Sequence, residues 1–366
     1  MYLTGLYGAR PFVYSTRPRS EFKVSARSYP RTTRSCAFSR DFRYLLVTRD
    51  HSPGRRFVPL VLAALAAVSL LAACERVSER PAVVSTAFDG EAALGYVRAQ
   101  LDFGPRVPGT EGHRRTGDWI TAQMRARADT VYEQRWTHVT VDGDSLPMRN
   151  IVASFRPDAE QRVLYLAHWD TRPFADRDPD PVRAKQPVMG ANDGASGVAL
   201  LIALADVLRA TPPAVGVDLL FVDGEDYGDF TPGKDQDVLI GSRYFAANLP
   251  SPAYRPLFGV LWDMIGDADL RIMQEQHSLD RAPEVVARVW QTAQAMGRGD
   301  VFVSRSAGAI TDDHVPLLDV GLRVIDVIDL EYPAHHTAED TIDKVSAESL
   351  KAVGDVATAL VTESGP

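Results

Sequence analysis

Residues 219–229 read "LLFVDGEDYGD", an apolar run that ends by placing Asp223, Glu225 and Asp226 within four positions. Carboxylates crowded against an apolar strand repel one another and are costly to desolvate unless a cation or a shared proton compensates. The pattern recurs along the chain. His168, Trp169 and Asp170 follow the run at 163–167, Asp193 lies in "VMGANDGASG", and Asp263 follows 257–262. Asp312, Asp313 and His314 sit in "ITDDHVP", and His335 and His336 in "EYPAHHTAEDT" follow 322–328. Oxygen and nitrogen donors without sulfur, drawn from separate loops, suit Zn²⁺ at a catalytic site, where three protein ligands leave one position open. A dication beside Glu225 and Asp226 removes most of their repulsion and lets the pair divide the work, one ligating while the other moves protons.

Each residue alone has an ordinary reading. His168 fits a half-buried histidine with a satisfied ring, Asp193 the N-cap of a helix starting near Ser196, Asp226 a turn and His336 the surface. All of these would have to hold together to dissolve the pattern. Asp170, Asp223 and Asp340 read as turn groups or as supports for the ligands. His113, His138 and His277 have no partners in the pattern and read as structural.

The elements that must position these groups are legible as alternating runs. Residues 91–101 and a segment through Trp119, Ile120 and Met124 have helical spacing, separated by the Gly- and Pro-rich "FGPRVPGTEGH". Strands are expected at 130–132 and 149–153 about a polar turn, then at 163–167, 217–222, 257–262 and 322–328. Helices are expected at 196–209, from about Ser242, near 282–296 and near 346–363. Strands buried on both faces and alternating with helices predict a three-layer α/β/α fold around a central mixed, mostly parallel twisted sheet. Sites in such sheets collect at the carboxyl ends of strands, where these acids and imidazoles fall.

The N-terminus reads differently. Residues 57–73, "FVPLVLAALAAVSLLAA", form an uncharged apolar run behind Arg55 and Arg56 and ahead of Cys74. A basic flank, a short apolar stretch and small residues before a cleavage point make an export signal. The run is short of the roughly 20 apolar residues of a membrane span. "Leu71-Ala72-Ala73-Cys74" resembles a bacterial lipobox, which implies a lipid anchor at Cys74 and a periplasmic or cell-surface location. The expected organisation is an Arg- and Ser-rich extension at 1–54, a signal at 55–74, a linker at 75–88 and a single catalytic domain at 89–366. Residues 1–56 carry 12 Lys and Arg against 3 Asp and Glu, leaving 28 and 45 for the rest, a net charge of −17. So acidic a body has no electrostatic footprint for nucleic acid. Its only other cysteine, Cys36, lies in the extension, so the mature body forms no internal disulfide.

From "FGPRVPGTEGHR" to the C-terminus the chain resembles the zinc-peptidase family M28, through "AHWDTRP", "GANDGASG", "FVDGEDYG", "GSRYFA", "LWDMIGD", "TDDHVP" and "HHTAEDT" in family order. The resemblance implies the zinc-exopeptidase fold, peptide or protein N-termini as substrates, Asp193, Asp226 and His336 as metal ligands and Glu225 as general acid/base. In two-metal aminopeptidases of the family, Asp193 bridges the ions while His168 and Asp263 bind the second. The combination of "HWDTRP", "GEDYG" and "TDDH" is more similar to bacterial glutaminyl-peptide cyclotransferases. Those use one zinc and pair the Asp263 position with Asp312 in a proton-sharing network that reaches Glu225. Cyclases of this type commonly carry Trp immediately before the metal-binding His, where this chain has His335. A non-catalytic binding lipoprotein is the reading from another class, and retention of Asp193, Glu225, Asp226 and His336 speaks against it.

Overall fold

The computed structural model describes residues 84–231 and 236–362. The N-terminal extension, the apolar signal-like run, Cys74 and residues 75–83 of the expected linker lie outside the described residues. Residues 84–88 belong to the body rather than to a linker. Val84 N donates to Met296 O at 3.0 Å, Thr86 N and Oγ1 both donate to Asp355 Oδ1, and Phe88 is buried.

Among the described residues, eight α-helices and eight strands follow in chain order. Helices α1 (Gly90–Leu101) and α2 (Glu111–Arg125) precede the hairpin of β1 (Thr130–Val139) and β2 (Ser145–Phe155). Then come β3 (Arg162–His168), α3 (Ala195–Ala210), β4 (Gly216–Val222), α4 (Ile240–Ala247) and β5 (Phe258–Asp263). Next are β6 (Ile272–Glu275), α5 (Gln276–Arg281), α6 (Pro283–Ala295), β7 (Phe302–Gly308), α7 (His314–Asp319), β8 (Val324–Ile328) and α8 (Ala347–Thr362). The main sheet runs β1-β2-β4-β3-β5-β8. β2 pairs antiparallel with β1 and β4, and the pairs β3–β4, β3–β5 and β5–β8 are parallel. This is the mixed sheet between helical layers that the alternation of runs predicts.

The central strands are apolar throughout because both faces are covered. Along β3, Val163, Tyr165 and Ala167 enter one core cluster while Leu164 and Leu166 enter the other. β4 divides in the same way, with Val217, Leu219 and Phe221 on one face and Leu220 and Val222 on the opposite face. The larger cluster also takes apolar residues of α1, α2, α3, α6 and α8, and the smaller takes Phe245 of α4 and Leu317 of α7.

Two features aim this frame at the site. Nearly every residue of α3 is buried, and a Cβ on Gly197 would fall 2.1 Å from Trp262 O, so only glycine lets the first turn of α3 seat against β5. At the end of β4, Gly224 takes φ +69°, turning the chain so that Glu225 and Asp226 leave the strand together. Four elements escaped the sequence reading. β6 is only four residues long, β7 is largely exposed, and α5 and α7 are six residues each. None is long or amphipathic enough for a period to register.

Candidate metal centre and active site

All the strand ends named above open on one side of the sheet. His168 is the last residue of β3 and Asp263 the last of β5, both buried. Asp193 precedes α3, whose N-cap is Gly194 with no side-chain cap bond. Asp193 therefore does not cap that helix, and its carboxylate is free to serve elsewhere. Oδ1 of Asp193 lies 3.0 Å from His168 Nε2, and the same nitrogen lies 3.2 Å from Asp263 Oδ1. Oδ2 of Asp193 is buried without a hydrogen-bond partner, 3.6 Å from His336 Nε2 and 3.9 Å from His335 Nε2. His336 Nε2 is also 3.1 Å from Asp226 Oδ1.

These distances can be tested against zinc. Two ligands at about 2.0–2.1 Å on a tetrahedral ion stand about 3.3 Å apart. The His336–Asp226, His336–Asp193, His168–Asp193 and His168–Asp263 separations all lie near that value. An orphaned, buried carboxylate oxygen facing imidazole nitrogen is costly as it stands and is relieved by a cation. The donor set fits zinc. Two groups place all their ligand atoms within mutual reach, Asp193 with His335 and His336, and His168 with Asp193 and Asp263, while Asp226 joins through His336. His336 holds φ at 57°, a left-handed conformation that costs a non-glycine residue energy and that packing must enforce.

The supports are made of buried hydrogen bonds. Asp170 accepts from the main-chain N–H of Glu225 and Asp226 at 3.0 and 3.2 Å. Asp340 accepts from the N–H of Asn192 and Asp193 at 2.8 and 3.1 Å and from Tyr332 Oη at 2.7 Å. Asp223 accepts from Arg149 N and meets His113 Nε2, both at 2.7 Å, and the His113 ring stacks on Trp169 with centroids 4.2 Å apart. His113 thus has a partner in the site's framework after all, a contact across 110 residues that no local pattern announces.

Two arginines went unassigned in the sequence reading. Arg106 is fully buried and donates to the carbonyls of Trp169, Met189 and Gly190, tying the loop after β3 to the loop that carries Asp193. Arg172 donates to Asp226 Oδ1 at 3.0 Å and grips Asp176 through Nε and Nη2 at 2.8 and 2.7 Å. A cation inside "HWDTRP", among so many acids, was the signal available for Arg172.

Beside the ligands a cavity of about 450 Å³ is lined by Glu225, Asp263, Asp312, Phe230, His335 and His336, among others. Burial, and then the Asp226 charge, hold the Glu225 carboxyl well above the ordinary range. Burial, and then Asp263, push Asp312 up to about 7. Asp312 is thereby shaped to carry a proton near neutrality, and Glu225 is shifted in the same direction. Burial and the neighbouring His336 push His335 down to about 3, so it is neutral.

The model of peptidase family M28 matches residues 150–361, more than half the chain. A glutaminyl cyclase from Bacteroides thetaiotaomicron superposes with a TM-score of 0.74 at 36% identity, covering 77% of this chain and 100% of that one. A structure described as a leucine aminopeptidase precursor from the same species gives 0.74 and 36%, covering 78% and 100%. Aminopeptidase YwaD of Bacillus subtilis is 24% identical over 218 residues, 55% of this chain, which spans only 41% of that relative's length. The ordered acids, the zinc-compatible ligand spacing and these matches agree: the chain belongs to peptidase family M28.

Proposed function

We propose that the protein is a zinc-dependent glutaminyl-peptide cyclotransferase, closing an N-terminal glutaminyl residue to pyroglutamate with release of ammonia. The observation that carries this reading is the buried pair of Asp263 and Asp312. Burial raises both carboxyls, the Asp263 charge raises that of Asp312 further, and both line the same cavity as Glu225; the reading has the two hold one proton between them. A carboxylate that shares a proton with its neighbour is a poorer ligand for a second dication. The similarity to a solved cyclase along that protein's whole length supports the same reading.

Asp193, Asp226 and His336 would hold zinc, which would supply a Lewis acid for the side-chain amide carbonyl of the substrate. Glu225 takes a proton from the α-amine as its nitrogen attacks the amide carbon, and gives a proton to the departing NH₂. The ring C–N bond forms, the amide C–N bond breaks, and ammonia leaves. Asp170 holds the main chain of Glu225 and Asp226 so that the two side chains keep separate tasks. The nucleophile is intramolecular, so positioning supplies much of the rate.

The second reading, a two-zinc aminopeptidase, draws on the mutual reach of His168, Asp193 and Asp263. In it His168 and Asp263 would hold the second ion and Glu225 would take the proton of an attacking water. Mass spectrometry of a Gln-initiated peptide, with zinc quantified in the same sample, separates the two. One zinc per chain and a pyroglutamyl product is the expected result. Two zincs with a free N-terminal amino acid would establish the aminopeptidase. Export and a lipid anchor at Cys74 complete the proposal, and Cys74→Ala is expected to move the protein from the membrane fraction to the soluble one.

A further inference from the structure

The two nitrogens of His335 are in different situations. Nδ1 lies 2.9 Å from Arg177 Nη1. A guanidinium has no lone pair to offer and stays charged in proteins, so this contact requires a lone pair on Nδ1. A neutral imidazole that accepts at Nδ1 carries its proton on Nε2. That Nε2 stands 3.9 Å from Asp193 Oδ2, beyond hydrogen-bond reach, and the side chain is 16% exposed. Arg177 is itself tied to the same corner, since its main-chain N–H donates to His336 O at 3.1 Å. Both His335 and Arg177 line the cavity.

By distance alone, His335 also qualifies as a metal ligand with Asp193 and His336. The two roles exclude each other at Nε2. Ligation there needs a lone pair on Nε2, which moves the proton to Nδ1 and sets N–H against guanidinium N–H across 2.9 Å. Breaking that clash would mean displacing Arg177.

We propose that Arg177 fixes His335 in its Nε2–H form, making this imidazole a hydrogen-bond donor to bound substrate beside the metal ligands and not a ligand itself. The acceptor it suits is the carbonyl of the substrate's first residue. In a peptide N-terminus that oxygen stands a fixed few bonds from the reacting amine and side-chain amide. The choice of acceptor rests on the cyclotransferase reading, whereas the tautomer and the non-ligand role do not.

The test uses the full chain loaded with zinc and has separable arms. Nitrogen-15 NMR of labelled histidine should show His335 with a pyridine-type Nδ1 and a pyrrole-type Nε2; the reverse pattern overturns the proposal. His335→Phe should keep the zinc content of the parent, and loss of one equivalent of zinc would make His335 a ligand. With a Gln-initiated peptide, His335→Phe should raise KM about three- to tenfold, the weight of one neutral hydrogen bond, with kcat little changed. His335→Gln, whose amide can donate from a similar position, should restore most of that KM. With 4-aminobutanamide, which keeps the reacting amine and amide but lacks the carbonyl, the KM values of parent and His335→Phe should coincide. Equal KM changes for both substrates would overturn the assignment of the acceptor. If the parent forms no pyroglutamate at all, the cyclotransferase reading fails while the NMR and zinc arms still decide the role of His335.

Discussion

Strand β4 carries buried acids at both ends, and the two ends are built in opposite ways. Near its start, Asp218 accepts from Arg162 Nε and Nη2 at 2.6 and 2.8 Å, from Ser154 Oγ at 2.6 Å and from Tyr254 Oη at 2.8 Å. Both oxygens are satisfied and a cation neutralises the charge. Just past its far end, Glu225 has no cation in hydrogen-bond contact among the described residues, and Asp193 Oδ2 and both oxygens of Asp326 are buried without a hydrogen-bond partner there. Leaving such groups unpaired costs free energy that a fold selected for stability alone would avoid. The saturated end is a strut. The unsaturated end is arranged for something that arrives: a cation, a proton or a substrate.

The sharpest way to break this contrast is at Glu225. Glu225→Gln removes the proton carrier while keeping the shape, and turnover of a Gln-initiated peptide should fall by about 10²–10⁴-fold with zinc content unchanged. Retained turnover would take the proton transfer away from this residue. At the saturated end, Asp218→Ala strands Arg162 in a largely buried setting and should cost about 3–5 kcal/mol in denaturant unfolding. Added zinc should nevertheless still raise that variant's melting temperature, because the metal site lies at the opposite end of the strand.

Asp340 tests the supports of the unsaturated end. Asp340→Asn weakens the grip on the main chain of Asn192 and Asp193 and should lower zinc affinity about 10–100-fold, read by competition with a chelator. An unchanged affinity would mean that the loop carrying Asp193 is held by other contacts, Arg106 foremost.

The smallest effect is a pH slope. Burial raises the Asp329 carboxyl, just past β8, to about 6. An acid whose folded value lies above its unfolded value of 3.8 binds a proton more tightly in the native state. Its contribution is thus fully present below about pH 4 and is lost as pH rises through about 6. Asp329→Asn should flatten that part of the stability profile. Glu275 runs the other way: despite the cost of burial, His314 and main-chain N–H groups hold it at about 2, so its contribution is present above pH 4.5 and lost as pH falls toward 2. If the stability profiles of Asp329→Asn and Glu275→Gln departed from the parent with the same sign of slope, the division of these acids into one raised by burial and one lowered by its partners would fail.

Much of the frame is legible in the residues themselves. Runs such as 163–167 and 217–222 are apolar without alternation, and such runs survive only between two covering layers, which is why the sheet and the strand-end location of the acids could be expected. What escaped is instructive. β6 and β7 are short or exposed and leave no period. The Arg172–Asp226 and His113–Asp223 contacts join residues 54 and 110 positions apart. The ordinary reading of Asp193 as a helix cap fails because Gly194 takes the N-cap position, leaving the carboxylate to face His168 and His336.

Sequence by itself determined the alternation of strands and helices, the inventory of oxygen and nitrogen donors, and their places at strand ends, because hydrophobic period and residue chemistry are local properties. Only the tertiary structure decided which donors share an atom-scale neighbourhood, which carboxylates keep a free oxygen, and which nitrogen of His335 carries the proton. Those outcomes depend on separations of 3 to 4 Å between residues far apart in the chain, and folding sets such separations where spacing along the chain cannot.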